Sequence, residues 1–308
     1  MGYRVSVYND DIAADFATAA AVAAGAGVDG LAIRNVWGRN IATLERTELE
    51  LVRKVADEHG LAFTAVGSPY GRGFYLDSDD DQRAAEAVLG KMFAVGEILG
   101  CDVVRIFALW LRDHESYASW AIRPDLDECL DRLAGRLRPS VEMARRAGVT
   151  LMIETEGASY VGQVREAREL FERLGANSVV LCWDVANAWR SGEQPLDGLH
   201  GARALPLADV NVKDLVAEPG RPDLASDRRA VVGEGSIPYG EIVATLLHDG
   251  YDGVFTVERN YYPRRPEDET RLQEDIVKDI ANLHELLRVG RRDDDSGKGA
   301  VTEGEGRA

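Results

Sequence analysis

Cysteine, long apolar runs and a glycine-rich phosphate-binding turn are scarce or missing in this sequence. The 308 residues include three cysteines without a CxxC spacing, and this odd set indicates a reducing compartment rather than a disulfide framework. No apolar run reaches the roughly 18 residues that a membrane span requires. The opening segment MGYRVSVYND leads directly into a strand-like pattern instead of an apolar leader. We therefore expect a cytoplasmic protein with no membrane association.

Basic residues are too few to balance the acidic ones. Lys and Arg total 36 against 53 Asp and Glu, which gives a formal net charge of −17. Such a surplus repels phosphate backbones, so we expect no nucleic-acid partner. The five histidines fall mostly on predicted helices, which leaves carboxylates and amides as the main candidates for chemistry.

Strand-like and helix-like segments alternate along the whole chain. Glycine follows several helical segments, at positions where a left-handed cap is expected. This alternation predicts a (β/α)8 TIM barrel of the α/β class, which usually needs about 250 residues. An open doubly wound sheet is the competing fold, but YNDDIAAD after the first strand has no glycine-rich turn. The predicted strands are Tyr3–Tyr8, Gly30–Val36, Ala62–Gly67, Val103–Leu109, Thr150–Glu156, Ser178–Val185, Leu207–Lys213 and Gly253–Arg259.

Composition predicts one domain and a tail. A hydrophobic content of 45% can build one large core, so we expect a single domain over residues 1–289. From Gly290 onward, GRRDDDSGKGAVTEGEGRA is polar, glycine-rich and aperiodic. We expect residues 290–308 to be a disordered tail.

Four oxygen-bearing side chains end consecutive predicted strands: Glu154, Asp184, Asn211 and Glu258. Neighbouring parallel strands lie about 4.8 Å apart, so these groups should converge at the barrel mouth. Any one of them alone is better explained as a solvated loop residue. All four together predict a site for Mn²⁺ or Mg²⁺, because buried carboxylates repel each other unless a cation or protons neutralise them.

A series of motifs then resembles the xylose isomerase-like TIM-barrel superfamily, in particular its sugar phosphate isomerase/epimerase group. The motifs are EG after strand five, WDxxN after strand six, NVKD after strand seven, GEG in VVGEGSIPYG and Glu258 of strand eight. The resemblance implies one divalent metal held by Glu154, Asp184, Asn211 and Glu258. It also implies that Glu154 and Glu258 act as a catalytic acid/base pair on opposite faces of a ketose.

The chain departs from the usual pattern of this group at three positions. Asn211 and Asn187 stand where histidine is common, and Ala32 stands where an acidic residue is common. An asparagine oxygen reaches about as far as an imidazole nitrogen, so Asn211 stays a candidate ligand, with a preference for Mg²⁺ and Mn²⁺. Asn187 is either a hydrogen-bond donor to a sugar hydroxyl or a helix N-cap.

Several further residues are candidate substrate contacts. Arg34 and Arg105 could clamp an anionic group or hydroxyl of the substrate, or could neutralise surplus carboxylates inside the barrel. Lys213 could steady an enediolate, or pair with Asp184 or Asp209. Aromatic side chains near strand ends could stack on sugar C–H groups, and could equally be lids or oligomer contacts; they are Trp37, Tyr70, Trp110 and Tyr160.

Three functions remain open. The first is a metal-dependent isomerase or epimerase of a keto-sugar or related polyol. The second is a metal-dependent lyase or dehydratase on a keto-inositol or 3-oxo-glycoside. The third is a non-catalytic sugar-binding partner subunit, and a homo-oligomer is possible in each case. No basic cluster is evident beyond YYPRRP, which favours an unphosphorylated substrate.

Overall fold

Eight parallel strands close into a barrel in the computed structural model, which describes residues 2–114, 116–175, 179–259 and 268–299. The strands around the barrel follow the order β1-β12-β9-β8-β7-β6-β5-β2, and β2 pairs with β1 to close it. In chain order the strands are β1 (Arg4–Tyr8), β2 (Gly30–Ile33), β3 (Asn35–Val36), β4 (Arg39–Asn40), β5 (Ala62–Gly67), β6 (Val103–Ile106), β7 (Thr150–Glu154), β8 (Val180–Asp184), β9 (Leu207–Val212), β10 (Asp214–Glu218), β11 (Arg221–Ala230) and β12 (Val254–Val257).

Helices connect the strands and form the outer layer. The predicted TIM barrel is therefore confirmed, with each predicted strand present and most ends one to three residues shorter. Ser178, where one predicted strand begins, lies outside the described residues. The helices are α1 (Asn9–Ile12), α2 (Phe16–Gly25), α3 (Arg46–Glu58), α4 (Asp79–Leu99), α5 (Leu126–Ala147), α6 (Val164–Leu174), α7 (Val185–Arg190), α8 (Pro195–Ala202), α9 (Tyr239–His248) and α10 (Glu269–Gly299).

Local sequence signals explain where the long helices begin and end. The Ser78 side chain accepts a hydrogen bond from the backbone N–H of Asp81, and α4 ends at Gly100 with a φ of 70°. Asp125 caps α5 in the same way, and α5 ends at Gly148 with a φ of 68°. Glycine adopts this left-handed conformation without the steric penalty of a side chain, as the sequence predicted.

The main core lies between the sheet and the helices, whereas the barrel interior is small and partly polar. Ala65, Met152 and Cys182 form the apolar cluster inside the barrel. Next to it, the Thr256 hydroxyl donates to the carboxylate of buried Asp209. Side chains two residues further along these strands reach the mouth, because alternate residues of a strand share one face.

Two features of the fold extend beyond the predicted units. An antiparallel hairpin of β10 and β11 follows β9 directly and extends from the carboxyl end of the barrel. Helix α10 continues to Gly299, so the predicted tail boundary at Gly290 lies inside this helix, and residues 300–308 lie outside the described residues. Within the residues described, no helix is long and apolar enough to cross a membrane.

Candidate active site at the barrel mouth

Three carboxylates meet at the carboxyl end of the barrel. Glu154, Asp184 and Glu258 each offer an oxygen, and these oxygens all lie within 4.8 Å of one another in buried positions. Asp184 pairs in register with Asn211, and Asn211 pairs with Thr256, so the strands bring Asn211 to the same level as the triad. The structure thus brings together all four side chains that the sequence predicted to converge.

Cationic side chains surround this carboxylate triad. Arg105 Nε lies 3.0 Å from a carboxylate oxygen of Glu154. Lys213 Nζ lies 2.6 Å from Asp184 Oδ2 and 3.2 Å from Glu258 Oε2. Arg34 Nη1 lies 2.5 Å from the other oxygen of Glu258. Every member of the triad therefore has a buried cationic partner, which reduces the repulsion among the carboxylates.

The three carboxyl groups differ in acidity. Burial raises the pKa of Glu154 to about 7, although Arg105 acts in the opposite direction. Burial likewise raises the pKa of Asp184 to about 7 against the effect of Lys213. Burial alone would raise the pKa of Glu258 too, but Lys213 and Arg34 hold that pKa well below its usual range. Glu258 is therefore firmly ionised, whereas Glu154 can hold a proton near neutral pH.

Two buried oxygens test whether this cluster fits a divalent ion. Asn211 Oδ1 receives no hydrogen bond from any described residue. Asp184 Oδ2 is paired with the Lys213 ammonium at 2.6 Å. Carboxylate and amide oxygens are the donors that Mg²⁺ and Mn²⁺ prefer, so the residues present fit such an ion. Lys213 already lies against Asp184 Oδ2 and Glu258 Oε2 and would compete with the ion for Asp184.

Asn187 lines the cavity above the triad. Its backbone N–H donates to Asp184 Oδ1 at 2.8 Å, so Asp184, and not Asn187, is the N-cap of α7. The Asn187 amide nitrogen donates to the carbonyl oxygen of Thr155 at 3.2 Å and lies 3.5 Å from Glu154 Oε1. The helix N-cap alternative for Asn187 was wrong, because the chain turns into the helix three residues earlier.

Arg34 and Arg105 both line the cavity, and both are occupied by carboxylates. The Arg34 guanidinium contacts Asp10 and Asp11 in addition to Glu258. These contacts favour the neutralising role over direct substrate binding, since few donors of Arg34 remain. Lys213 pairs with Asp184, as one alternative predicted, and also with Glu258, which was not predicted. Asp209 receives its hydrogen bond from Thr256 instead.

The predicted aromatic contacts divide into two groups. Trp110 lines the cavity, but Trp37 and Tyr160 are not among the side chains that line it. Trp37 lies in the turn between β3 and β4, and its side chain hydrogen-bonds Asp15. Tyr160 is half-buried and packs against the main core. Tyr70 is fully buried, with its hydroxyl 2.9 Å from that of Ser140.

Two glycine motifs of the sequence have packing reasons beside the site. A Cβ on Gly157 of the EG motif would collide with the Trp120 indole ring, which lines the cavity. The Asp214 carboxylate accepts backbone hydrogen bonds from Gly233, Gly235 and Ile237 at 3.0, 3.0 and 3.2 Å. The last residue of NVKD therefore holds the GEG loop against the end of β9.

The cavity above the triad has a volume of about 870 Å³. Three arginines that line this cavity were not among the predicted site residues: Arg72, Arg228 and Arg229. Arg72 follows β5, and the other two belong to β11 of the unpredicted hairpin. Residues this far apart in the chain show no pattern that would have marked them as neighbours.

A family model described as xylose isomerase-like TIM barrel matches residues 20–280 of the chain. No curated protein matches the sequence.

Solved structures with the same barrel include enzymes of two reaction types. An L-ribulose 3-epimerase has a TM-score of 0.72 and 16% identity, over 98% of this chain and 100% of its own. A probable 3-DHS dehydratase from Bacillus anthracis has a TM-score of 0.67 and 15% identity, over 90% and 97%. A xylose isomerase-like TIM-barrel protein from Mycobacterium smegmatis, in complex with magnesium, has a TM-score of 0.64 and 17% identity, over 91% and 97%. At such identities the likeness establishes the fold alone.

Proposed function

Because this chain belongs to the xylose isomerase-like TIM-barrel family, we propose that it is a divalent-metal-dependent isomerase or epimerase of a keto-sugar or related polyol. The observation that carries the proposal is the buried triad of Glu154, Asp184 and Glu258 at the barrel mouth. Catalytic residues in this fold come from the carboxyl ends of the strands, which is where these three lie.

The metal would be Mn²⁺ or Mg²⁺, held by the triad and by the unpaired oxygen of Asn211. When bound, such an ion stabilises the negative charge of an enediolate by polarising the carbonyl and hydroxyl oxygens of the substrate. Both Asp184 and Asn211 are fully buried, which supports a role in holding an ion rather than in touching substrate.

Glu154 and Glu258 are the proposed acid/base pair. In the site without an ion Glu258 is ionised and burial raises the pKa of Glu154 to about 7, so the proposed proton acceptor is Glu258 and the proposed donor is Glu154. Two carboxyl groups whose surroundings separate their pKa values are a recurring arrangement for acid and base roles. In the reverse direction the two roles exchange. The Asn187 side chain lines the cavity, and its proposed role is a hydrogen bond to a substrate hydroxyl in place of its weak 3.5 Å contact with Glu154.

A lyase is the second candidate, and the likeness to a probable dehydratase favours keeping it. Both reactions begin when a proton leaves the carbon next to a carbonyl. They differ in whether a leaving group on the following carbon then departs. The triad serves that first proton transfer in either case, so the products must distinguish the two.

Proton exchange with solvent tests the proposal. In D₂O with Mn²⁺, the wild type should incorporate deuterium next to the carbonyl of a ketose that it binds, as measured by NMR. Glu154→Gln and Glu258→Gln should each slow this exchange by about 10²- to 10⁴-fold, the usual cost of losing a general base. Glu156→Gln, which changes another buried carboxylate of the same cavity, is the matched control and should retain exchange.

The same samples separate the two reactions. Elimination produces an enone with ultraviolet absorbance, whereas epimerisation leaves the spectrum unchanged and yields a new stereoisomer. If both glutamine variants exchange deuterium as fast as the wild type while still binding metal, the acid/base assignment is wrong. If the wild type binds a ketose and metal but exchanges no deuterium, a sugar-binding protein without catalysis is the better account.

A further inference from the structure

Three arginines of the cavity form no salt bridge within the described residues. Burial raises the pKa of the Glu156 carboxyl in the same cavity, and the charge of Arg72 opposes this rise. The Arg72, Arg228 and Arg229 side chains make no ion pair or hydrogen bond with any residue that the structure describes. The chain has 53 acidic and 36 basic residues, so carboxylates that could pair with these arginines are not scarce. Guanidinium groups that remain unpaired in a concave site attract anions.

A fourth arginine lies behind the same wall. The Arg190 side chain is 3% exposed, and its Nε and one Nη atom donate no hydrogen bond to any described residue. Its guanidinium stacks 3.9 Å from the ring centroid of Tyr117, which lines the cavity. The nearest carboxylate, that of Asp227, is 3.8 Å away. Burial lowers the pKa of Arg190, and the positive charge of Arg229 lowers it further.

Aromatic rings fix part of this basic wall in place. The Arg72 guanidinium lies 5.7 Å from the ring centroid of Phe107 and 5.5 Å from that of Trp110. Stacking of this kind restrains a long side chain without using its hydrogen-bond donors. Arg72 can therefore offer a full set of N–H groups to a ligand at little entropic cost.

We propose that the substrate carries an anionic group, a carboxylate or a phosphate, and that Arg72, Arg228 and Arg229 bind it. This inference rests on the proposed function, because it places the ketose portion of the same molecule at the triad. It departs from the expectation of an unphosphorylated substrate, because the sequence alone does not bring the hairpin arginines to the cavity. The YYPRRP arginines considered there lie outside the described residues.

Binding of matched ligands tests the proposal. Calorimetry with Mn²⁺ present would compare neutral D-fructose, D-fructose 6-phosphate, the keto acid 2-keto-D-gluconate and inorganic phosphate. We expect at least one anionic ketose to bind about 10- to 100-fold more tightly than D-fructose, since charge-assisted hydrogen bonds contribute on this scale. Which of the two anionic ketoses binds more tightly distinguishes a carboxylate from a phosphate substrate.

Arginine variants then locate the anion site. Arg72→Gln and Arg229→Gln should each weaken the anionic ketose by about 10-fold or more and change D-fructose binding by less than about twofold. Arg46→Gln removes an exposed arginine on α3 and is the control for net charge. Equal affinity for neutral and anionic ketoses, no binding of either anionic ketose, or an equal loss in Arg46→Gln would each overturn the inference.

The outcome is separable from the proposed function. If D-fructose exchanges deuterium but anionic ketoses bind no better, the function stands and this inference fails. If an anionic ketose binds through the arginines but exchanges no deuterium in the wild type, the inference stands and the proposed function fails.

Discussion

Asn211 places an amide oxygen on the strand between those that carry Asp184 and Glu258. That oxygen is buried and unpaired among the described residues, which is costly unless a ligand completes its bonding. We predict that Asn211→His preserves cation binding and raises the affinity for Co²⁺ or Zn²⁺ relative to Mg²⁺, because imidazole is the softer ligand. Competition calorimetry measures the preference. An unchanged preference would mean that residue 211 does not touch the ion.

Lys213 is the second residue whose replacement is informative. Its ammonium is buried and contacts Asp184 and Glu258. It therefore neutralises part of the negative charge that would attract a divalent ion. We predict that Lys213→Met binds Mn²⁺ about 10-fold or more tightly than the wild type, because a competing cation is gone. Without metal the variant should be less stable by about 3–5 kcal/mol, the usual cost of removing one partner of a buried pair.

Calorimetry and urea denaturation with and without Mn²⁺ measure these two effects. A Lys213→Met variant that binds Mn²⁺ more weakly than the wild type would show that Lys213 supports the ion instead of competing with it.

At the scale of elements, the strands and helices that follow from local sequence pattern were predicted correctly. Alternating strands and helices fixed the order of the barrel, and parity within strands placed Glu154 and Glu258 on the inner face. The hairpin of β10 and β11 was not predicted, because its β11 segment RPDLASDRRA is polar and lacks the apolar alternation of a core strand. Without knowledge of this hairpin, nothing in the sequence indicates that Arg228 and Arg229 line the cavity at the barrel mouth.

A buried carboxylate links the segment after α7 to the start of α6, and its raised pKa predicts a dependence of stability on pH. Glu193, which follows α7, accepts a hydrogen bond from the Val164 N–H at the start of α6 at 3.0 Å. Burial raises the pKa of Glu193 from 4.5 to about 7. The raised pKa means that the stability from this group is full below about pH 4.5 and is lost as pH rises through about 7.

Glu193→Gln should remove this loss, because an amide stays neutral and still accepts the hydrogen bond. We predict that the variant and the wild type unfold with similar free energies at pH 4, and that the variant is more stable by up to about 3 kcal/mol at pH 8. Urea denaturation at the two pH values measures the difference. A variant that is less stable at pH 8 would show that the ionised carboxylate stabilises the start of α6.

At the scale of the whole molecule, the candidate metal ligands come from four strands that are neighbours only in the closed barrel. An unfolded chain cannot bring them together, so cation binding should be linked to folding. We predict that Mn²⁺ at a concentration 100-fold above its Kd raises the free energy of unfolding by about 2.7 kcal/mol. Denaturation at several Mn²⁺ concentrations measures this, and metal-free buffer with excess chelator gives the reference state.

The most direct test of the account is calorimetric titration of the purified protein with Mn²⁺, repeated on Asp184→Ala. Asp184 is fully buried between Lys213 and the other carboxylates, so no outside residue can replace it. The wild type should bind about one ion, and Asp184→Ala should bind none while keeping its circular dichroism spectrum, because too few anionic ligands remain to offset dehydration of the ion. Asp57→Ala, at an exposed position on α3, should bind as the wild type does. Undiminished Mn²⁺ affinity in folded Asp184→Ala would contradict the assignment of the metal site to this triad.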